Sequence, residues 1–142
     1  MSPHAESKFA GLNISPRILD SLTHNKYLIP TPIQTQAIPA AITGKDLIGI
    51  AQTGTGKTLA FGIPMIQQLG GSGGRGLVLV PTRELALQAD ETFVRIGRSL
   101  NLRTAVLIGG ASMRNQMLAL GKRPQVIIAT PGRLLDHLSQ KT

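Results

Sequence analysis

Four short apolar runs recur along the chain: Leu47 to Ile50, Leu77 to Val80, Ala105 to Ile108 and Val126 to Ala129. Each is continuous rather than alternating, the pattern of strands covered on both faces. Helical patterns alternate with them. Ser15 and Pro16 form a helix start, because a serine can cap the first amides and proline suits the first turn. Thr31 and Pro32 repeat that signal, and Gly44 is a stop. Pro39 interrupts this second pattern and predicts a kink or an early end. A third helix is predicted from about Lys57 towards Leu69, with Pro64 as another irregularity. Leu85, Ala89, Phe93, Ile96 and Leu100 share one helical face, so a fourth covers most of Arg83 to Leu100. Two weaker helices follow, near Ser112 to Leu120 and Pro131 to Ser139.

Strands alternating with helices predict an α/β domain built on a parallel sheet covered by helices. The 142 residues suffice for one modest domain. No internal repeat and no long linker interrupts it. The glycine-rich segment Gly70 to Gly76 is read as a loop. Its G-x-G-x-x-G match follows a helix and precedes a strand, the reverse of the dinucleotide-binding order, and is discarded.

Composition narrows the class. Apolar residues make up 42% and charged residues 15%, which argues against disorder. There is no cysteine, so disulfides and cysteine-ligated zinc play no part. The first ten residues carry no apolar run of a signal peptide, and no window approaches the roughly 20 apolar residues of a membrane span. A cytoplasmic protein with no membrane partner is the expectation. The net charge is +8, and between Thr92 and Leu135 there are seven cationic residues and no acidic one. Such an excess suits a polyanionic partner, or equally a solvated face. Aromatics are limited to Phe9, Tyr27, Phe61 and Phe93. Any nucleic-acid binding should therefore rest on backbone contacts rather than base stacking. His4, His24 and His137 lie near no carboxylate cluster and are read as surface or tail residues.

The strongest chemical signal is Ala51-Gln52-Thr53-Gly54-Thr55-Gly56-Lys57-Thr58, between a predicted strand and a predicted helix. That context is what a phosphate-binding loop requires. Glycines let successive N–H groups turn towards phosphates, and the helix N-terminus adds partial positive charge. Lys57 would reach the β- and γ-phosphates, and the Thr58 hydroxyl would coordinate Mg²⁺. The strict pattern begins with glycine, and Ala51 departs from it.

The same eight residues resemble motif I of the DEAD-box RNA helicases, and three further segments agree in order. Lys26-Tyr27-Leu28-Ile29-Pro30-Thr31-Pro32-Ile33-Gln34 resembles the family's Q motif, with Lys26 where the family has glycine. Phe9 stands at the family's upstream aromatic position. The resemblance implies that Gln34 reads adenine and Phe9 packs on the base. A side-chain amide can pair with the donor N6 and acceptor N7 of adenine. Gln34 also fits a capping box with Thr31, and both roles can coexist. Pro81-Thr82-Arg83-Glu84-Leu85-Ala86 resembles motif Ia and Thr130-Pro131-Gly132-Arg133 resembles motif Ib, with Gly109-Gly110 where the family has a glycine pair. These segments grip the RNA backbone in the family. Taken singly, Thr82 and Thr130 read as N-caps and Pro131 as a first-turn proline. Glu84 reads as favourable charge at a helix start.

The resemblance implies a RecA-like domain that binds ATP-Mg²⁺ and RNA. It divides the chain into a tail (1–8), a Q-motif helical segment (9–44) and the first part of RecA-like domain 1 (45–142). The family's Asp-Glu-Ala-Asp motif does not occur in these residues, nor does a second RecA-like domain. The expectation is therefore a fragment that binds nucleotide without turning it over. In the full-length protein, ATP hydrolysis would drive local unwinding of RNA. The alternatives are a stand-alone module holding adenine nucleotide or RNA without catalysis, and another P-loop NTPase. A guanine-reading Asn-Lys-x-Asp, which a GTPase would need, is absent.

Overall fold

The computed structural model describes residues 7–52, 54 and 56–142. They form two compact units, Met1–Ser72 and Gly73–Thr142.

The first unit is helical. A short 3-10 turn, Lys8–Gly11, precedes α1 (Pro16–His24), α2 (Pro32–Ile42) and α3 (Lys57–Ser72). Phe9, Leu12, Ile18, Leu22, Ile38, Leu59 and Ile63 are buried in its core. α2 and α3 pack side by side. The Lys8 N–H donates to the Leu28 carbonyl at 2.9 Å and ties the 3-10 turn to the Q-motif segment. α2 continues three residues past Pro39 before Gly44, at φ +85°, turns the chain away. Pro39 thus falls in the last turn, where one lost amide matters little. α3 also runs through Pro64 and absorbs the first part of the glycine-rich segment, so the predicted loop of 70–76 shrinks to 73–75.

α1 ends in a Schellman turn. Tyr27 N–H reaches the Leu22 carbonyl at 2.9 Å, and Lys26 N–H reaches Thr23 at 3.0 Å. Lys26 takes φ +63°, the left-handed conformation for which the family uses glycine. The turn is kept and the side chain is tolerated.

The second unit holds a parallel sheet of β1 (Gly76–Leu79), β2 (Thr104–Leu107) and β3 (Val126–Ala129), in the order β1-β3-β2. Gly76 and Thr104 both stand in register with Val126. α4 (Arg83–Gly97), α5 (Met113–Gly121) and α6 (Pro131–Ser139) complete it, with α4 against β2 and β3 and α5 against β2. Only the central strand is enclosed as the continuous apolar runs predict. β3 buries Val126, Ile128 and Ala129, whereas β1 buries Val78 and exposes Leu77 and Leu79.

The run Leu47 to Ile50 is not a strand in this structure. No strand pairs with it among the described residues, and Ile48 and Ile50 are 94% and 92% exposed. An apolar run without a ladder partner leaves its own amides and carbonyls to solvent, so the strand expectation fails there.

Candidate functional site

In the first unit Thr31 and Gln34 meet the glycine turn that opens α3. Gly54 and Gly56 take φ +81° and +84°, values that a side chain would strain. Ala60 N–H closes the first helical bond on the Gly56 carbonyl at 3.2 Å. The first-turn amides of α3 have no partner within the helix, which is the feature that suits an anion. Lys57 is exposed and Thr58 half-buried at this helix start. Ala51 is half-buried and Gln52 exposed; Thr53 and Thr55 lie outside the described residues.

Gln34 joins this loop to the Q motif. Its Oε1 accepts from Thr31 N–H at 2.9 Å, and its Nε2 donates to the Gly56 carbonyl at 3.1 Å. The residue is 3% exposed. The capping box predicted from the sequence is present. Its amide arm is the firm one, because the buried Thr31 hydroxyl has no hydrogen-bond partner among the described residues. A Cβ placed on Gly56 would run into the Gln34 amide and stand 3.1 Å from the Thr31 hydroxyl. Only glycine lets the three residues close up. Tyr27 is half-buried. Phe9 is 1% exposed within the core, so in this conformation it offers no open face to a base.

In the second unit the three predicted RNA segments meet around one loop. All of them follow the C-terminal ends of parallel strands, where ligand crevices of such sheets form. Gly110, at φ +78°, has the Arg83 guanidinium where a β-carbon would stand, so any side chain there would displace it. Pro81, Thr82 and Arg83 are exposed, and the Thr82 hydroxyl caps α4 by accepting from Leu85 N–H at 3.2 Å. Glu84 occupies the first turn of that helix. Thr130 does not cap α6 with its side chain. Its N–H donates to the Leu107 carbonyl at 3.0 Å, binding the end of β2 to the start of α6, and Pro131 takes the first-turn position. Gly109 is half-buried; Pro131 and Gly132 are exposed.

Arg133 is held inward instead of standing open as a phosphate contact. Its guanidinium donates to the Ala111 carbonyl at 3.1 Å and to Gln116 Oε1 at 3.3 Å, and its Nε lies 3.5 Å from Asp136. Gln116 in turn meets His137 Nε2 at 2.8 Å, and its own Nε2 donates to the Ile108 carbonyl at 2.8 Å. His137, expected at the surface, is 2% exposed. Burial, reinforced by the Arg133 guanidinium and opposed by Asp136, holds its imidazole below the ordinary histidine value. Sequence reasoning missed Gln116 and His137. Both fall on the inward stripe of their helices, Gln116 three residues after Met113 and His137 three after Leu134, a phase that marked them as buried polar groups.

No set of three or more His, Asp or Glu side chains that could hold a metal occurs among the described residues. None of their helices is long and apolar enough to cross a membrane.

Residues 31–142 match the DEAD/DEAH box helicase family model. The ATP-dependent rRNA helicase RRP3 of Debaryomyces hansenii is 48% identical over 97% of this chain, which spans 30% of that protein. The RRP3 protein of Lodderomyces elongisporus is 51% identical over 96% of the chain and 27% of its own length. The chain thus spans less than a third of these curated relatives. A hypothetical ATP-dependent RNA helicase from Sulfolobus tokodaii superposes with a TM-score of 0.83 at 33% identity, covering 90% of this chain and 37% of that one. The RNA helicase Prp28 of Chaetomium thermophilum bound to ADP gives 0.81 at 36% identity, covering 96% and 34%.

Proposed function

Because the chain belongs to the DEAD/DEAH box helicase family, we propose that it forms the ATP- and RNA-binding front part of an ATP-dependent RNA helicase. The observation that carries the nucleotide half is the contact of Gln34 and Thr31 with Gly56. It brings an amide suited to adenine and an unsatisfied hydroxyl against the turn that opens α3. The chemistry fits a nucleoside triphosphate: turn amides and Lys57 for the phosphates, Gln34 for the adenine edge. Thr58 would hold Mg²⁺, which would offset phosphate charge during transfer.

RNA is the polyanion we assign to the loops at Pro81 to Arg83, Gly109-Gly110 and Thr130 to Gly132. The names of the relatives support RNA, and the basic, acid-free stretch supports backbone contacts independent of base identity. Unwinding requires a second RecA-like domain in cis, and hydrolysis requires the acidic motif; neither lies within these 142 residues. The chain by itself is therefore proposed to bind nucleotide without turning it over. A cytoplasmic location goes with this reading.

Titration with a fluorescent ATP analogue tests it. Binding should prefer ATP to GTP, lose at least tenfold affinity in Lys57→Ala, and lose its base preference in Gln34→Ala. Equal affinity of Lys57→Ala and the parent chain would remove the nucleotide assignment, and RNA-stimulated hydrolysis by the chain alone would refute the non-catalytic reading.

A further inference from the structure

The second unit contains a relay of polar side chains that the binding loops do not explain. The Ile108 carbonyl can only accept, so the Gln116 amide nitrogen must face it and its oxygen must face His137. That oxygen accepts, so His137 carries its proton on Nε2. Its Nδ1 lies 2.8 Å from the Thr142 hydroxyl, which is also 3.1 Å from the His137 carbonyl. Arg133 donates to the same Gln116 oxygen and to the Ala111 carbonyl. Gln116 and His137 are both nearly fully buried, and every polar atom of the pair has a partner. A satisfied network of this kind rigidifies what it touches.

The relay joins the backbone of one loop to side chains at the start of α6. Ile108 and Ala111 flank Gly109-Gly110, and Arg133 and His137 stand on α6, which Thr130 to Gly132 opens. Arg83 rests on Gly110 from the third segment. From this geometry we infer that Gln116 and His137 are positioning residues for RNA binding. They set the spacing between the glycine-pair loop and the start of α6, so that both present their amides to successive phosphates. Neither residue touches RNA. Arg133 serves as the link between the loops, its charge held by Asp136 and spent on the protein's own carbonyls. This inference rests on the RNA reading of the loops given above.

The test compares the parent chain with His137→Ala, His137→Gln and Gln116→Leu. Val78→Ala, a cavity in β1 remote in sequence from the relay, serves as a control for stability loss alone. Each is titrated with a labelled single-stranded RNA, and its affinity is corrected for the folded fraction read by circular dichroism. We expect His137→Ala and Gln116→Leu to weaken RNA binding about tenfold, within the range by which such intermediary residues alter a distant site. His137→Gln, whose amide can still donate to Gln116, should stay within about twofold, as should Val78→Ala. Affinity for the ATP analogue should be unchanged in all four. Native RNA affinity in folded His137→Ala and Gln116→Leu, or equal loss in Val78→Ala, would overturn the positioning role. If the parent chain does not bind RNA, or binds it as well with Arg83→Ala as without, the loop assignment itself fails instead.

Discussion

The side chain of Gln34 fastens the start of α2 to the glycine turn before α3, through Thr31 N–H on one side and the Gly56 carbonyl on the other. Its amide is used at both ends, as donor and as acceptor, in a buried position. Gln34→Ala removes the brace and should cost about 1–2 kcal/mol, the sum of a helix cap and one further hydrogen bond. Gln34→Glu keeps the acceptor for Thr31 but turns a carboxylate oxygen onto the Gly56 carbonyl. It should therefore be more damaging than alanine at pH 7 despite being isosteric. Urea midpoints of the three proteins decide this, and a Glu variant at least as stable as the Ala variant would show that the bond to Gly56 contributes little.

Lys26 sits in the left-handed conformation that closes the Schellman turn after α1. A β-carbon there costs about 1–2 kcal/mol, while glycine gives back up to about 1 kcal/mol through the unfolded chain's entropy. Lys26→Gly should therefore stabilise the protein by about 0.5–1 kcal/mol. The expected readout is a higher urea midpoint with an unchanged slope. A lower midpoint would mean that the lysine side chain makes a compensating contact.

What was legible in the sequence was whatever depended on near neighbours along the chain. The starts at Pro16, Pro32 and Pro131 carry first-turn prolines and that at Arg83 a capping Thr82, and the structure begins helices at each of them. Gly54, Gly56 and Gly110 all take positive φ, as segments built around tight turns require. Illegible was whatever depended on a partner far away. The run 47–50 looks like a strand because its composition suits one, but a strand exists only where another chain segment completes the ladder. His137 and Gln116 are separated by 21 residues and explain each other only once α5 and α6 are placed. The contacts of Arg133 were hidden for the same reason, since the carbonyl that accepts from it, Ala111, lies 22 residues away.

The lowered value of the His137 imidazole makes stability depend on pH in one direction. Between its folded value and the ordinary value near 6.5, the unfolded chain holds the proton and the folded chain does not. Stability should therefore be full above that ordinary value and should fall as pH drops through the window below it. In His137→Gln this contribution disappears, so urea midpoints measured from about pH 7.5 to 5.5 should decline less steeply than in the parent chain. Parallel slopes would place the acid sensitivity elsewhere.

The exposed run Leu47 to Ile50 is the remaining consequence of a strand sequence without a strand. Two isoleucines more than nine-tenths exposed and separated by one glycine form an apolar surface with which no strand pairs among the described residues. Such an edge is a template for pairing with another copy of itself. Because Ile48 and Ile50 bury almost nothing, replacing both by lysine should change the urea midpoint by no more than about 0.5 kcal/mol. It should nevertheless suppress self-association, since each added charge opposes edge-to-edge pairing. Sedimentation velocity across a concentration series separates the two effects. The parent chain should shift to larger species as concentration rises while the double variant stays monomeric. A double variant that associates as readily would place the sticky surface elsewhere, with the exposed Leu77 and Leu79 of β1 as the next segment to alter.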